Sequence, residues 1–190
     1  MKRITVYCAS SAHINQVYFE AAEKLGALLV KNDCEVVFGG GSVGLMGKLA
    51  DAILAHNGKI TGIMPHFMNE VEWGHKGVAE FIYTDTMAQR KEKLIENSDG
   101  IIALPGGCGT LEELLEVITF KRLGLFHKPI VILNTNNFYD PLKLMLERCV
   151  EENFMQTKHL DMWHFVDEPE QVIESLMKEH VWMGGAIKFS

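Results

Sequence analysis

Gly100-Ile101-Ile102-Ala103-Leu104-Pro105-Gly106-Gly107-Cys108-Gly109-Thr110-Leu111-Glu112-Glu113 decides the fold class of this chain. Its first five residues form an apolar run bounded by turn residues, the signature of a buried strand. A glycine turn follows at once, and a helical pattern starts near Thr110. Strand, tight turn and helix start in immediate succession make one βα unit of an α/β protein. The three glycines allow backbone N–H groups to approach a ligand, and the first turn of a helix adds unpaired donors and a positive dipole end. The segment therefore reads as a phosphate seat. Two adjacent carboxylates would repel a phosphate, so Glu112 and Glu113 point to chemistry on another part of the ligand. Thr110 and Glu113 also stand in the T-x-x-E relation of a capping box, whose usual use is structural. A plain cap needs none of the preceding glycines, and both readings stay open on local physics.

The same alternation runs outward in both directions. Strands are expected at Ile4 to Cys8, Glu35 to Phe38, Lys59 to Met64, Glu80 to Tyr83, Ile101 to Leu104, Pro129 to Leu133 and Trp163 to Val166. Helical patterns lie near 16–31, 43–56, 86–97, 110–123, 139–152 and 169–179. Nearly continuous apolar strands alternating with helices predict a doubly wound α/β fold, a mostly parallel sheet covered by helices on both faces. In such sheets, ligands bind beyond the carboxyl ends of the strands.

With 190 residues, the chain has the length of one well-buried domain. No linker or repeat divides it, so residues 1–180 are read as a single nucleotide-binding domain. Residues 181–190, Val181 to Ser190, read as a C-terminal tail, either loose or packed on a partner subunit. A formal charge of −7 without any run of Lys or Arg argues against general nucleic-acid binding. The four cysteines and eight histidines show no metal-ligand spacing, so no metal is expected, and reduced thiols fit the cytoplasm. No apolar run approaches the roughly 18 residues of a membrane helix, and neither export nor membrane insertion is expected.

A second glycine segment, Gly39-Gly40-Gly41-Ser42-Val43-Gly44-Leu45-Met46-Gly47, follows the second strand and satisfies G-x-G-x-x-G. The dinucleotide reading also needs an acidic residue at the end of the next strand, which here ends Ile63-Met64-Pro65-His66. The P-loop reading fails as well, because Gly47-Lys48 is followed by Leu49. There remains a second tight turn, with Gly41 and Ser42 as candidate substrate contacts and Ser42 as a helix cap, or close packing of helix on strand. Upstream of the first segment, Met87-Ala88-Gln89-Arg90-Lys91 opens a helix. Cations favour the other end of a helix, so Arg90 and Lys91 are either a solvated face or partners for an anion. Arg suits bidentate anion recognition better than Lys.

These residues resemble the Lonely Guy (LOG) proteins, cytokinin riboside 5′-monophosphate phosphoribohydrolases, whose signature is P-G-G-x-G-T-x-x-E with an upstream M-H-x-R-K. The likeness extends through Val6 to Ser11 and Gly39 to Gly47 and covers roughly residues 3 to 175. It implies a Rossmann-like homodimer, or a higher oligomer built from such dimers. Its implied reaction cleaves the N-glycosidic bond of a purine nucleoside 5′-monophosphate to free base and ribose 5-phosphate, with no cofactor. By motif position, the resemblance makes Arg90 and Glu113 the catalytic pair. Gly106, Gly107, Cys108, Gly109 and Thr110 become the phosphate turn, with Lys91 and Glu112 also at the nucleotide and Glu72, in competition with Glu70, as a further ligand. Ala88 stands where the family has His, which bears on rate or preferred base. Some members carry a lysine decarboxylase label, but nothing in the sequence marks a pyridoxal-phosphate lysine with its supporting residues. The alternatives to the enzyme are a non-catalytic module that senses a mononucleotide, with Glu113 a helix cap, and a purely structural α/β domain.

Overall fold

A computed structural model describes residues 1–70 and 74–178; Glu72 and the tail at 181–190 lie outside the described residues. Seven strands, β1 (Lys2–Tyr7), β2 (Cys34–Phe38), β3 (Ile60–Pro65), β4 (Glu80–Thr84), β5 (Gly100–Ala103), β6 (Ile130–Leu133) and β7 (His164–Val166), form one sheet. The helices between and after them are α1 (Gln16–Lys31), α2 (Gly44–Ala55), α3 (Met87–Ile95), α4 (Cys108–Arg122), α5 (Asp140–Glu151) and α6 (Pro169–Met177). The strand order is β4-β3-β2-β1-β5-β6-β7, and every neighbouring pair is parallel. The doubly wound fold expected from the sequence is the fold observed.

Two apolar clusters, one on each face of the sheet, follow from the two-residue period of the strands. Ile4 and Val6 of β1 and Ile102 of β5 point to the face covered by α1, α2 and α6, where they meet Leu25, Leu49 and Val172. Tyr7 of β1 and Ile101 and Ala103 of β5 point to the opposite face, where Leu94 of α3, Leu114 and Val117 of α4 and Leu146 of α5 close over them. The fully buried strands explain the near-continuous apolar runs of the sequence.

The direction of winding reverses between β1 and β5, which are adjacent in the sheet although far apart in the chain. At such a switch point the loops leaving the two strands diverge and open a crevice. Here the diverging segments are Cys8 to Ser11 and the Pro105–Gly107 turn, so the fold itself places the phosphate-type turn at the mouth of the sheet.

Candidate active site

Each functional side chain is set by its own element. Thr86 caps α3, its side chain accepting the Gln89 N–H at 3.1 Å, while the Gln89 side chain accepts the Asp85 N–H at 2.9 Å. This reciprocal start fixes Arg90 one turn into the helix. Arg90 is 5% exposed; its Nε donates to the Ile63 carbonyl at 3.1 Å and its Nη1 to Glu113 Oε1 at 2.5 Å. Lys91, beside it on the outer face, donates to Glu112 Oε1 at 2.5 Å and Glu116 Oε1 at 3.0 Å. The cationic pair that looked misplaced at a helix start therefore meets carboxylates of α4.

The capping-box reading of Thr110 and Glu113 is overturned. α4 begins at Cys108 with Gly107 as its cap, so Thr110 already lies inside the first turn and Glu113 is an interior residue paired with Arg90. The first bond of the helical ladder runs from the Leu111 N–H to the Gly107 carbonyl at 3.0 Å. The N–H groups of Cys108, Gly109 and Thr110 precede it and carry the positive end of the helix dipole. The glycines of this turn divide by role. A Cβ on Gly106 would strike the side chain of Thr110, so that glycine serves close packing. A Cβ on Gly107 or Gly109 would meet nothing within 4 Å, and both residues face the cleft.

The cleft has a volume of about 320 Å³, within the range of small-molecule sites. Cys8 to Ser11 form one wall, Met46, Met68 and Met87 another, and Arg90, Gly107, Gly109, Thr110 and Glu113 the charged end. It thus brings together Arg90, Glu113, Gly107, Gly109 and Thr110 of the sequence-predicted residues. Lys91, Glu112, Gly106 and Cys108 stand next to this set without lining the cleft. Gly41 and Ser42 lie outside the lining, and neither Glu72 nor the side chain of Glu70 is among the described parts of the chain. A larger hollow of about 540 Å³ sits by Arg122, Phe154 and His159. It contains none of the predicted residues, which gather at the smaller cleft.

The assignment of Ser42 as a helix cap is also corrected. Val43 occupies the cap position of α2 without a side-chain bond, and the Ala9 carbonyl accepts the Leu45 and Met46 N–H groups at 2.9 and 3.2 Å. That carbonyl satisfies the donors an anion would have needed. Gly44, at φ +67°, lets α2 approach the backbone of Ser10 and Ser11. The second glycine segment is thus a packing element that anchors the β1–α1 loop forming the cleft wall.

Electrostatics single out Glu113. Burial pushes its carboxyl above the usual glutamate range, and the Arg90 charge and hydrogen bond pull it back only in part. Tyr7, buried at the end of β1, is pushed well up by burial and then by the charges of Glu113 and Glu116. Lys91, on the outer face, is held above its ordinary value by its hydrogen bonds to Glu112 and Glu116. A buried carboxylate with a shifted proton affinity in a cleft, held by one guanidinium, is the arrangement expected of a catalytic group.

The sequence reading missed Glu116, Ser10, Ser11 and the three methionines as components of this region. Glu116 lies one turn beyond Glu112, so the i,i+4 spacing carried a signal for it. Met68 sits on a short 3₁₀ turn, His66–Glu70, with no local signature.

A family model described as "Possible lysine decarboxylase" matches residues 46–176. A protein of Oryza sativa subsp. japonica named probable cytokinin riboside 5′-monophosphate phosphoribohydrolase is 40% identical over 177 residues, covering 92% of this chain and 72% of that protein. A cytokinin riboside 5′-monophosphate phosphoribohydrolase of Arabidopsis thaliana is 42% identical over 154 residues, covering 81% and 72%. The chain belongs to the LOG family. Among solved structures, a molybdenum cofactor binding protein of Rippkaea orientalis matches with a TM-score of 0.70 at 21% identity, over 92% of this chain and 94% of that one. The molybdenum cofactor carrier protein of Chlamydomonas reinhardtii matches with a TM-score of 0.69 at 19% identity, over 91% and 94%. At that identity the likeness is one of fold, and it shows the LOG domain to be a widely used doubly wound scaffold.

Proposed function

We propose that this protein hydrolyses the N-glycosidic bond of a purine nucleoside 5′-monophosphate, either adenosine or a cytokinin-type N6-substituted one, to the free base and ribose 5-phosphate. The observation that carries this reading is the buried Arg90–Glu113 pair at the end of a cleft whose other charged feature is the open first turn of α4. The named activity of relatives about 40% identical supports the same reaction class.

In the reaction, the bond between the anomeric carbon and the base nitrogen breaks and its electron pair leaves with the base. Water adds to the anomeric carbon, and its proton is passed on so that the base departs neutral. Positive charge develops on the sugar ring, so a carboxylate beside that carbon is the required group. Glu113 fills this role: it stabilises the oxocarbenium-like sugar and accepts a proton from the attacking water. Its raised proton affinity makes it a better base than an exposed glutamate, while the charge and hydrogen bond of Arg90 favour its ionised form. Arg90 holds Glu113 in place and orients the nucleotide or offsets charge on the departing base or the phosphate. The N–H groups of Cys108, Gly109 and Thr110, with Gly106 and Gly107 shaping the turn, seat the phosphate at the helix start. Lys91 and Glu112 stand beside the cleft, and the family resemblance makes Glu72, or Glu70 in its place, a further nucleotide contact. No cofactor is invoked.

The functional unit we propose is a cytoplasmic homodimer or higher homo-oligomer. Leu115, Leu123 and Leu125, on and just after α4, are exposed apolar residues that a second copy would cover. Among the described residues no helix is long and apolar enough to cross a membrane, and no disulfide joins any of the four cysteines. Incubating the protein with AMP and with isopentenyladenosine monophosphate, then measuring base and ribose 5-phosphate, tests the reaction. Release of both products in equal amounts is expected, whereas saturable binding of either nucleotide without turnover would replace the enzyme by a sensing module.

A further inference from the structure

We propose that Gly39, just after β2, is a positioning residue for Arg90: the missing side chain leaves the space that the guanidinium occupies beside the β2–α2 turn as it reaches Glu113. This rests on the roles given above to Arg90 and Glu113. A Cβ built on Gly39 would stand 2.5 Å from Arg90 Nη2 and 3.1 and 3.2 Å from Cε and Sδ of Met46. Unlike Gly40 and Gly44, at φ +88° and +67°, Gly39 is outside the left-handed region, so its backbone does not call for glycine. Close approach of Arg90 and Met46 is the reason that remains.

The guanidinium has little room to retreat on its own terms. Its Nε is held by the Ile63 carbonyl on β3 at 3.1 Å, and its Nη1 by Glu113 on α4 at 2.5 Å. Gly39 forms the third side, so β2, β3 and α4 together define one position for a side chain anchored on α3. An added methyl group would push against the tip of a long side chain rather than against backbone. The fold can absorb it by displacing Arg90, and the displacement is what function would feel. Gly47 is the contrast within the same segment, since a Cβ there would run into the backbone of Ser42.

The test compares Gly39→Ala with the parent protein and with Arg90→Ala. Glu113 is faced by Arg90 and Lys91 from α3, Glu112 from its own helix and Tyr7 from β1, and of these Arg90 is the group that a Cβ on Gly39 would meet. Gly39→Ala is expected to keep its melting temperature within a few degrees, to lower kcat by about 10²-fold as misplaced catalytic groups do, and to move the acidic limb of the pH–rate profile upward. A ¹³C titration of the Glu113 carboxyl, which needs no turnover, should show the same upward movement. An unmoved Glu113 titration in folded Gly39→Ala protein overturns the positioning role. Full activity in Arg90→Ala would instead overturn the underlying assignment of Arg90, and the Glu113 titration would still decide the role of Gly39.

Discussion

Arg90→Met tests the buried ion pair most sharply, because it removes the charge while keeping most of the side chain's length. At 2.5 Å and an effective dielectric of about 20, the Coulomb attraction of the pair is about 7 kcal/mol before desolvation is counted. The upward shift of Glu113 shows that desolvation outweighs this attraction in setting its proton affinity. Removing one partner of a buried pair therefore leaves an uncompensated charge, at a cost of about 3–5 kcal/mol. For a chain of 190 residues that corresponds to a fall in Tm of about 6–20 °C. The loss must depend on pH. Glu113 has a folded-state pKa raised above its unfolded value, so its ionisation lowers stability as pH rises from the ordinary glutamate value through the folded one. Without Arg90 that folded value rises further. At pH 4, below the raised Glu113 value, the penalty for an unpaired carboxylate is largely absent and the variant should lose only the Arg90 hydrogen bonds to Ile63 and Glu113, about 2 kcal/mol in all. Thermal unfolding at pH 4 and pH 8 measures the difference, and Arg90→Met/Glu113→Gln should regain most of the stability lost at pH 8. Equal losses at both pH values, or a double variant as unstable as the single one, would refute the reasoning.

Gly109→Ala should raise Tm slightly, by the roughly 1 kcal/mol that Ala gains over Gly inside a helix, and at the same time weaken nucleotide binding at least tenfold, since its Cβ would enter the cleft; isothermal titration with AMP checks this. Gly106→Ala, whose Cβ would strike Thr110, should instead lower Tm. Lys121, 1% exposed and donating to the Lys128 carbonyl at 2.8 Å, is pushed down by burial to about 8. The folded state thus prefers the neutral amine, and stability should rise as pH climbs from about 8 to 10.5, by up to about 3 kcal/mol; Lys121→Met should abolish that rise in urea unfolding.

The strands and helices were legible because both faces of the sheet are covered, which leaves an unbroken apolar run for each buried strand. α1 falls at Gln16–Lys31, where the sequence pattern put it. The start of α4 was not legible in the same way. Glycines at 106, 107 and 109 read as turn, yet Gly109 already lies in the helix, because an open first turn needs only the dipole and no side-chain cap. Moving the cap by three residues, from Thr110 to Gly107, was enough to convert Thr110-x-x-Glu113 from an apparent cap into a buried threonine and an ion-paired glutamate. The Ser42 cap failed for a tertiary reason: the Ala9 carbonyl, more than thirty residues away in the chain, takes the donors of α2. Arg90 and Glu113 were each marked in the sequence, but their pairing depends on α3 and α4 packing on the same face of the sheet. The methionine wall was not legible as a unit: Met46 and Met87 lie within the two motifs but carried no role there, Met68 had no signature, and the three come from separate elements.

Everything proposed for the reaction turns on Glu113 acting as a catalytic carboxylate rather than a structural one. Single-turnover release of base from AMP and from isopentenyladenosine monophosphate by Glu113→Gln, with nucleotide binding followed in parallel by thermal shift, addresses it directly. Retained binding is expected, with base release slowed by about 10²- to 10⁴-fold. Near parental release from a folded Glu113→Gln protein would contradict it.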